Sequence, residues 1–344
     1  MKTILRRLCS VLALVLCPVV LLTACTGETA ESSSDAGSLA PVSSKEAVSS
    51  NDASSQTSSE EVSSKAVSLV EDKSDAPDAD LSQQTVVYKR VGEHELTVYI
   101  YKPTANAKAK TPLLVLFPGG GWHTANNSGA AGYNQEMNQL RANGFTVAVA
   151  NYRVRTVTDM FGMVSDCFDA IRYLVKYADV LKIDTDRIFT GGHSAGGYMS
   201  VMAAMADHDK FTVDSGLVEY EFKVKAAAPK APPLSFVGNT VTTNYAPHCF
   251  KAGYSTNDLI ACSPLFMIEK GKEQPDLLLV YGTADTLILP AQNTELFYRK
   301  CQNSEIKNCE VYAVEGGDHS LLVNGSQPSA VVTEIVNYLT EKAK

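Results

Sequence analysis

The chain has no internal repeat, no cysteine and histidine cluster at metal-binding spacing, and neither of the glycine patterns that cradle nucleotide phosphates. The first absence leaves one folded unit to explain rather than an array. The second means that no metal is implied. The third, the lack of G-x-G-x-x-G and of G-x-x-x-x-G-K-[ST], discounts nucleotide binding. Basic clustering is missing too. The whole chain carries −8, but residues 26–80 alone hold 12 acids against three lysines, a net −9. Lys2, Arg6 and Arg7 add three positive charges at the other extreme, so the remaining residues sum to only −2. That remainder offers no basic stripe to a nucleic acid and no strong field to steer anions.

What the N-terminus does have is an address. Three basic residues precede an apolar run from Leu8 to Leu22, followed by Leu22-Thr23-Ala24-Cys25. This is the layout of a secretory signal. A cysteine directly after Leu-x-Ala resembles the lipobox of bacterial lipoproteins, which implies lipidation at Cys25, membrane attachment through it and an extracellular position. Residues 26–80 contain 16 serines and no aromatic residue. Such a stretch cannot bury enough apolar surface to offset its chain entropy, so a disordered tether is expected. The expected layout is therefore a signal over 1–24, an anchored tether over 25–80 and a folded domain over 81–344.

About 260 residues suffice for one domain with a sizeable core. Val86–Val91 and Leu96–Tyr101 alternate in residue type and predict an antiparallel hairpin. Apolar runs then predict strands at 113–117, 145–150, 187–191, 224–228, 277–281 and 309–314. Amphipathic stretches between them fit helices at 130–142, 161–178, 195–206, 291–302 and 328–342. Alternation of this kind predicts an α/β fold, a mostly parallel sheet covered on both faces, with 232–262 as a small cap insertion.

The chemistry is written at strand ends. The run from Arg187 to Thr190 leads into Gly192-His193-Ser194-Ala195-Gly196, a G-x-S-x-G elbow that exposes a serine hydroxyl on a sharp strand-to-helix turn. Such a serine needs an acid, then a histidine, both later in the chain, and an oxyanion-binding loop earlier in it. Three of the six histidines follow Ser194. His208 ends the helix leaving the elbow and is carried away. His319 stands in a loop after an apolar strand, where a base belongs, with His248 in the polar insertion as the alternative. Among the acids, Asp276 opens its strand and Asp318 adjoins the histidine, whereas Asp285 closes the unit at the elbow's edge of the sheet. Ser194, Asp285 and His319 then run in the order of the α/β-hydrolase fold. Gly119-Gly120-Gly121, after the apolar run Leu113–Phe117, would aim backbone N–H groups at a developing oxyanion, completed by that of Ala195.

A Gly-Gly-Gly-Trp loop paired with Gly-His-Ser-Ala-Gly-Gly resembles the hormone-sensitive-lipase-like and acetylxylan/feruloyl-esterase-like branch of the α/β-hydrolases. Asn151-Tyr152-Arg153, the helix from Asp166 to Leu174, Ile183–Ile188 and Ser263-Pro264-Leu265 carry the same resemblance. It covers residues 85–344. It implies the triad Ser194, Asp285, His319, with Gly119, Gly120 and Ala195 as oxyanion donors, and no cofactor. Two departures stand out: Pro118 replaces the usual histidine before the glycines, and the Asp285-to-Pro290 spacing is one residue longer than the commonest form. The expected activity is hydrolysis of small acyl, acetyl-like esters, on a small molecule or a carbohydrate. A serine peptidase of the same fold is the main rival, and a lipid-anchored binding protein a remote one. Export permits disulfides, and Cys249/Cys262 and Cys301/Cys309 are the expected pairs, with Cys167 a buried thiol.

Overall fold

The computed structural model describes residues 70–124 and 133–344. The signal, Cys25 and the Ser-rich stretch up to residue 69 lie outside the described residues, as do positions 130–132 of the helix expected over 130–142. In chain order the elements are β1 (Gln83–Val91), β2 (His94–Tyr101), β3 (Thr111–Phe117), α1 (Asn134–Ala142), β4 (Thr146–Ala150), α2 (Met160–Lys176), α3 (Ala178–Leu181), β5 (Ile183–His193), α4 (Ala195–Met205), β6 (Val224–Lys230), α5 (Thr240–Asn244), α6 (Ala246–Cys249), α7 (Thr256–Ala261), β7 (Asp276–Gly282), α8 (Thr294–Asn303), β8 (Cys309–Val314) and α9 (Ser329–Lys342).

Eight strands form one sheet in the order β1-β2-β4-β3-β5-β6-β7-β8. The β1–β2 and β2–β4 pairs are antiparallel and all others parallel. Sequence alternation accounts for the hairpin, and continuous apolar runs for the central strands, which are covered on both faces. Every residue of β3 is buried. Its Leu113, Val115 and Phe117 pack on one side, with Met163 and Phe168 of α2 and Tyr198 and Met202 of α4. Leu114 and Leu116 pack on the other, with Met137 and Leu140 of α1 and Ile335 and Leu339 of α9. This is the α/β-hydrolase architecture, and it brings the ends of β3, β4, β5, β6, β7 and β8 to one edge.

Two expectations need correction. The boundary at residue 81 falls inside a packed segment that starts by residue 70. Asp75 N–H donates to the Val87 carbonyl, Tyr173 donates to the Asp75 carbonyl, and Asp72 pairs with Lys176. Acids that read as tether are ion-pair partners of the domain. The two expected disulfides are absent: Cys167, Cys249, Cys262, Cys301 and Cys309 are all free and buried. Cys249 and Cys262 close separate short helices, α6 and α7, and each faces the core. Cys301 and Cys309 are neighbours, and both are free thiols.

Candidate active site

Strand β5 enters the elbow and α4 leaves it, so Ser194 is the corner residue. Its φ of 55° and ψ of −121° are a conformation L-residues rarely adopt, backbone strain of the kind concentrated at functional turns. The Ser194 N–H donates to the Lys230 carbonyl of β6 at 2.8 Å, which holds the corner in place. Contact dictates the flanking glycines. A Cβ on Gly192 would stand 2.5 Å from the Gly196 carbonyl carbon, and one on Gly196 would collide with the Phe117 and Pro118 backbone.

Facing Ser194 across the edge is the loop after β8. His319 Nε2 lies 2.9 Å from Ser194 Oγ, and its Nδ1 lies 2.7 Å from Asp285 Oδ2. Asp285, just after β7, is buried, and its other oxygen accepts N–H bonds from Leu287 at 2.8 Å and Ile288 at 2.9 Å. The carboxylate accepts from Nδ1–H, so Nε2 is left to accept the serine proton. Asp276 pairs with Lys342 at the opposite end of β7. Asp318 shapes the loop by accepting from the Ser320 and Leu322 N–H groups. His208 stacks on Phe222 at 4.1 Å, and His248 is exposed on α6.

The elbow histidine has work of its own. His193 Nε2 lies 2.7 Å from the His319 carbonyl. A carbonyl only accepts, so Nε2 carries the proton. Burial pulls the His193 pKa down to about 4, which keeps the ring neutral. The glycine loop is tied from below. Tyr152 donates to the Pro118 carbonyl at 2.8 Å and Tyr133 to the Phe117 carbonyl at 2.9 Å. Those hydroxyls support the loop although Pro118 stands where a histidine is usual. Among the described residues, no protein acceptor meets the N–H of Gly119, Gly120 or Ala195.

A cleft of about 450 Å³ opens over Ser194 and His319, bounded by Gly120, Gly121, His123, Arg155, Tyr245 and Leu287. Tyr245 lies between α5 and α6, so the 232–262 insertion supplies one wall. Trp122 anchors that wall from below, 5.5 Å from the Tyr245 ring and 5.4 Å from those of Tyr198 and Phe236. Sequence reasoning named neither Tyr133, Tyr152, His193 nor Arg155 as site residues. Tyr152 and His193 were visible inside quoted motifs, whereas nothing in the sequence marks Tyr133 or Arg155. The assembled parts are a hydroxyl, an imidazole ready to accept its proton, a buried carboxylate and three N–H groups that meet no acceptor among the described residues.

The BD-FAE family profile matches residues 98–300, a span that includes Gly119, Gly120, Ser194 and Asp285 and stops short of His319. A probable carboxylic ester hydrolase of Mycobacterium tuberculosis, LipM, is 29% identical over 128 residues, 37% of this chain. The chain spans 29% of that relative's length. Among solved structures, the apo form of Thermogutta terrifontis esterase 2 superposes with a TM-score of 0.61 at 23% identity, covering 77% of this chain and 96% of that one. The propionate-bound form of the same esterase gives 0.61 at 24% identity, with the same coverage. At these identities the likeness is one of fold.

Proposed function

This chain belongs to the BD-FAE family, and on that premise we propose that it is a serine carboxylesterase cleaving small acyl, acetyl-like esters of carbohydrates outside a bacterial cell. The observation that carries this reading is the unbroken hydrogen-bonded chain from Ser194 through His319 to Asp285, opening onto a cleft beside three unpaired N–H groups. His319 Nε2 takes the Ser194 proton as Oγ attacks the ester carbonyl. Asp285 holds the tautomer and stabilises the imidazolium that results. The N–H groups of Gly119, Gly120 and Ala195 receive the developing oxyanion, where loss of one donor costs about 10²–10³ in rate. His319 then protonates the departing alcohol, and water repeats the cycle on the acyl-enzyme.

Tyr245 supports the small acyl group, because its ring packs against Gly121 and closes one side of the cleft. A second cleft of about 460 Å³ shares His123 with the first and is lined by Tyr99, Asn151, Tyr152, His94 and Glu95. Aromatic faces mixed with hydrogen-bonding groups suit a sugar as the alcohol. The signal, Cys25 and the Ser-rich stretch support a lipid-anchored position on the outer membrane face. The test is hydrolysis of p-nitrophenyl acetate, butyrate and octanoate by the purified protein and by its Ser194→Ala variant. Turnover that favours acetate and vanishes in the variant is expected. Folded protein that cleaves none of the three would sink the esterase reading and move weight to a peptidase.

A further inference from the structure

Among the described residues, Arg155 is the only lysine or arginine lining the cleft over Ser194, and no aspartate or glutamate lines it. Arg153, two residues earlier, is buried against Asp166 and Asp214, and Arg90, Arg172 and Arg187 each pair with an aspartate. Among the described residues Arg155 has no such partner, and its near neighbour is the buried Cys249 thiol, a weak acceptor. Residues 125–132, which follow the glycine loop, contain no acid. Asp285, beside the cleft, is committed on both oxygens to His319, Leu287 and Ile288.

The base of this side chain is fixed. Arg155 N–H donates to the Trp122 carbonyl at 2.8 Å, which ties it to the glycine loop, and the Arg153 ion pairs hold the segment behind it. A half-buried guanidinium with a fixed origin and unused donors is preorganised for a planar anion, because its fork matches the two oxygens of a carboxylate. The rest of the domain is close to neutral, so this charge is a local device and not part of a broad positive face.

Resting on the esterase reading, we propose that Arg155 binds a carboxylate carried by the substrate, so that the preferred ester is anionic in its acyl or its alcohol half. Two pairs of esters separate those halves. p-Nitrophenyl hydrogen succinate against p-nitrophenyl butyrate places the charge on the acyl side, and 4-acetoxybenzoate against phenyl acetate places it on the alcohol side. The expected result is a kcat/KM ratio, anionic over neutral, of at least about 10 for one pair, weakening at high salt. In Arg155→Gln that ratio should fall to near one, and Arg155→Lys should retain part of it. Ratios near or below one for both pairs in the wild type, or a preference that survives in Arg155→Gln, overturn the proposal. The neutral esters report separately on the esterase reading. If no ester turns over, calorimetric titration of the Ser194→Ala protein with the two anionic esters decides. Binding of one at least tenfold weaker in Ser194→Ala/Arg155→Gln upholds the proposal, and equal affinity or no binding overturns it.

Discussion

Beneath β1 and α2 lies a cluster of buried charge whose disruption should be the most costly isosteric change in the molecule. Asp166 is fully buried and accepts from Arg153 Nε at 2.7 Å, from a second Arg153 nitrogen at 2.9 Å and from Lys89 at 2.7 Å. Lys89 also reaches Asp169 at 2.8 Å, Arg172 reaches Asp169 at 2.9 Å, and Arg153 reaches Asp214 at 2.8 Å. Three cations therefore face three carboxylates, and the cluster is neutral. Asp166→Asn keeps the shape, so no cavity forms. It leaves one uncompensated positive charge in the core and turns an amide N–H₂ toward groups that only donate. Removing one partner of a buried pair costs about 3–5 kcal/mol, a large share of the 5–15 kcal/mol typical of a domain. Chemical denaturation should show a lowered midpoint with an unchanged slope. Glu273→Gln is the control, since its pair with Lys223 is solvent-exposed on both sides and should leave the midpoint in place. Equal midpoints for the two variants would refute the view that charge balance holds residues 151–155 in position.

Two further outcomes follow from the elbow. Gly196→Ala drives a Cβ into the Phe117 and Pro118 backbone, neither of which can swing aside as a side chain would. Esterase activity should therefore be lost, by far more than the 0.5–1 kcal/mol that Ala commonly gains over Gly in a helix, and an active variant would show that the elbow is looser than its contacts imply. His193 sets an acid limit. Above pH 6.5 it is neutral whether the chain is folded or not. Below that the unfolded chain takes up a proton that the folded protein refuses until about pH 4. Its contribution to stability is thus present above pH 6.5 and lost as pH falls to 4, by about 3 kcal/mol at most. Melting temperature followed from pH 7 to 4 should drop less steeply in His193→Gln than in the wild type.

The parts of the site that could be read in the sequence are those that the chain punctuates. A parallel strand ends where its apolar run stops, and the chemistry stands in the next few residues. Ser194, Asp285, His319 and the three glycines were found by that rule, and the structure brings Ser194, His319 and Asp285 together. The strands at 113–117, 224–228 and 277–281 were likewise legible, because strands buried on both faces leave continuous apolar runs. Residues 70–80 were not, since Asp72 and Asp75 look like solvated charges until Lys176 and Arg90 are seen beside them. The 232–262 insertion was misleading in the same way. Its polar centre hides Phe236, Val241, Cys249 and Phe250, which reach the core from short helices at no fixed period. Closeness in sequence also paired Cys249 with Cys262, which end separate short helices, whereas Cys301 and Cys309 do stand side by side but as free thiols.

Arg155 and the tyrosines point to a more general reason. Loops at the sheet edge leave carbonyls that no ladder satisfies, and buried carbonyls need donors. Five buried tyrosines supply them: Tyr88 to Asn151, Tyr133 to Phe117, Tyr152 to Pro118, Tyr173 to Asp75 and Tyr198 to Cys262. Burial raises the pKa of each phenol, which keeps it a donor. Each tie fastens a point where the chain has left or is about to enter regular structure, and three of them converge on the glycine loop and on Asn151-Tyr152-Arg153. In a hydrophobic pattern these rings score as core, as a phenylalanine would. The difference between filling space and holding a loop rests on one oxygen, and its partner is fixed only when distant strands come together. A site assembled from six loops therefore shows its reactive groups in the sequence but conceals the groups that keep them in register.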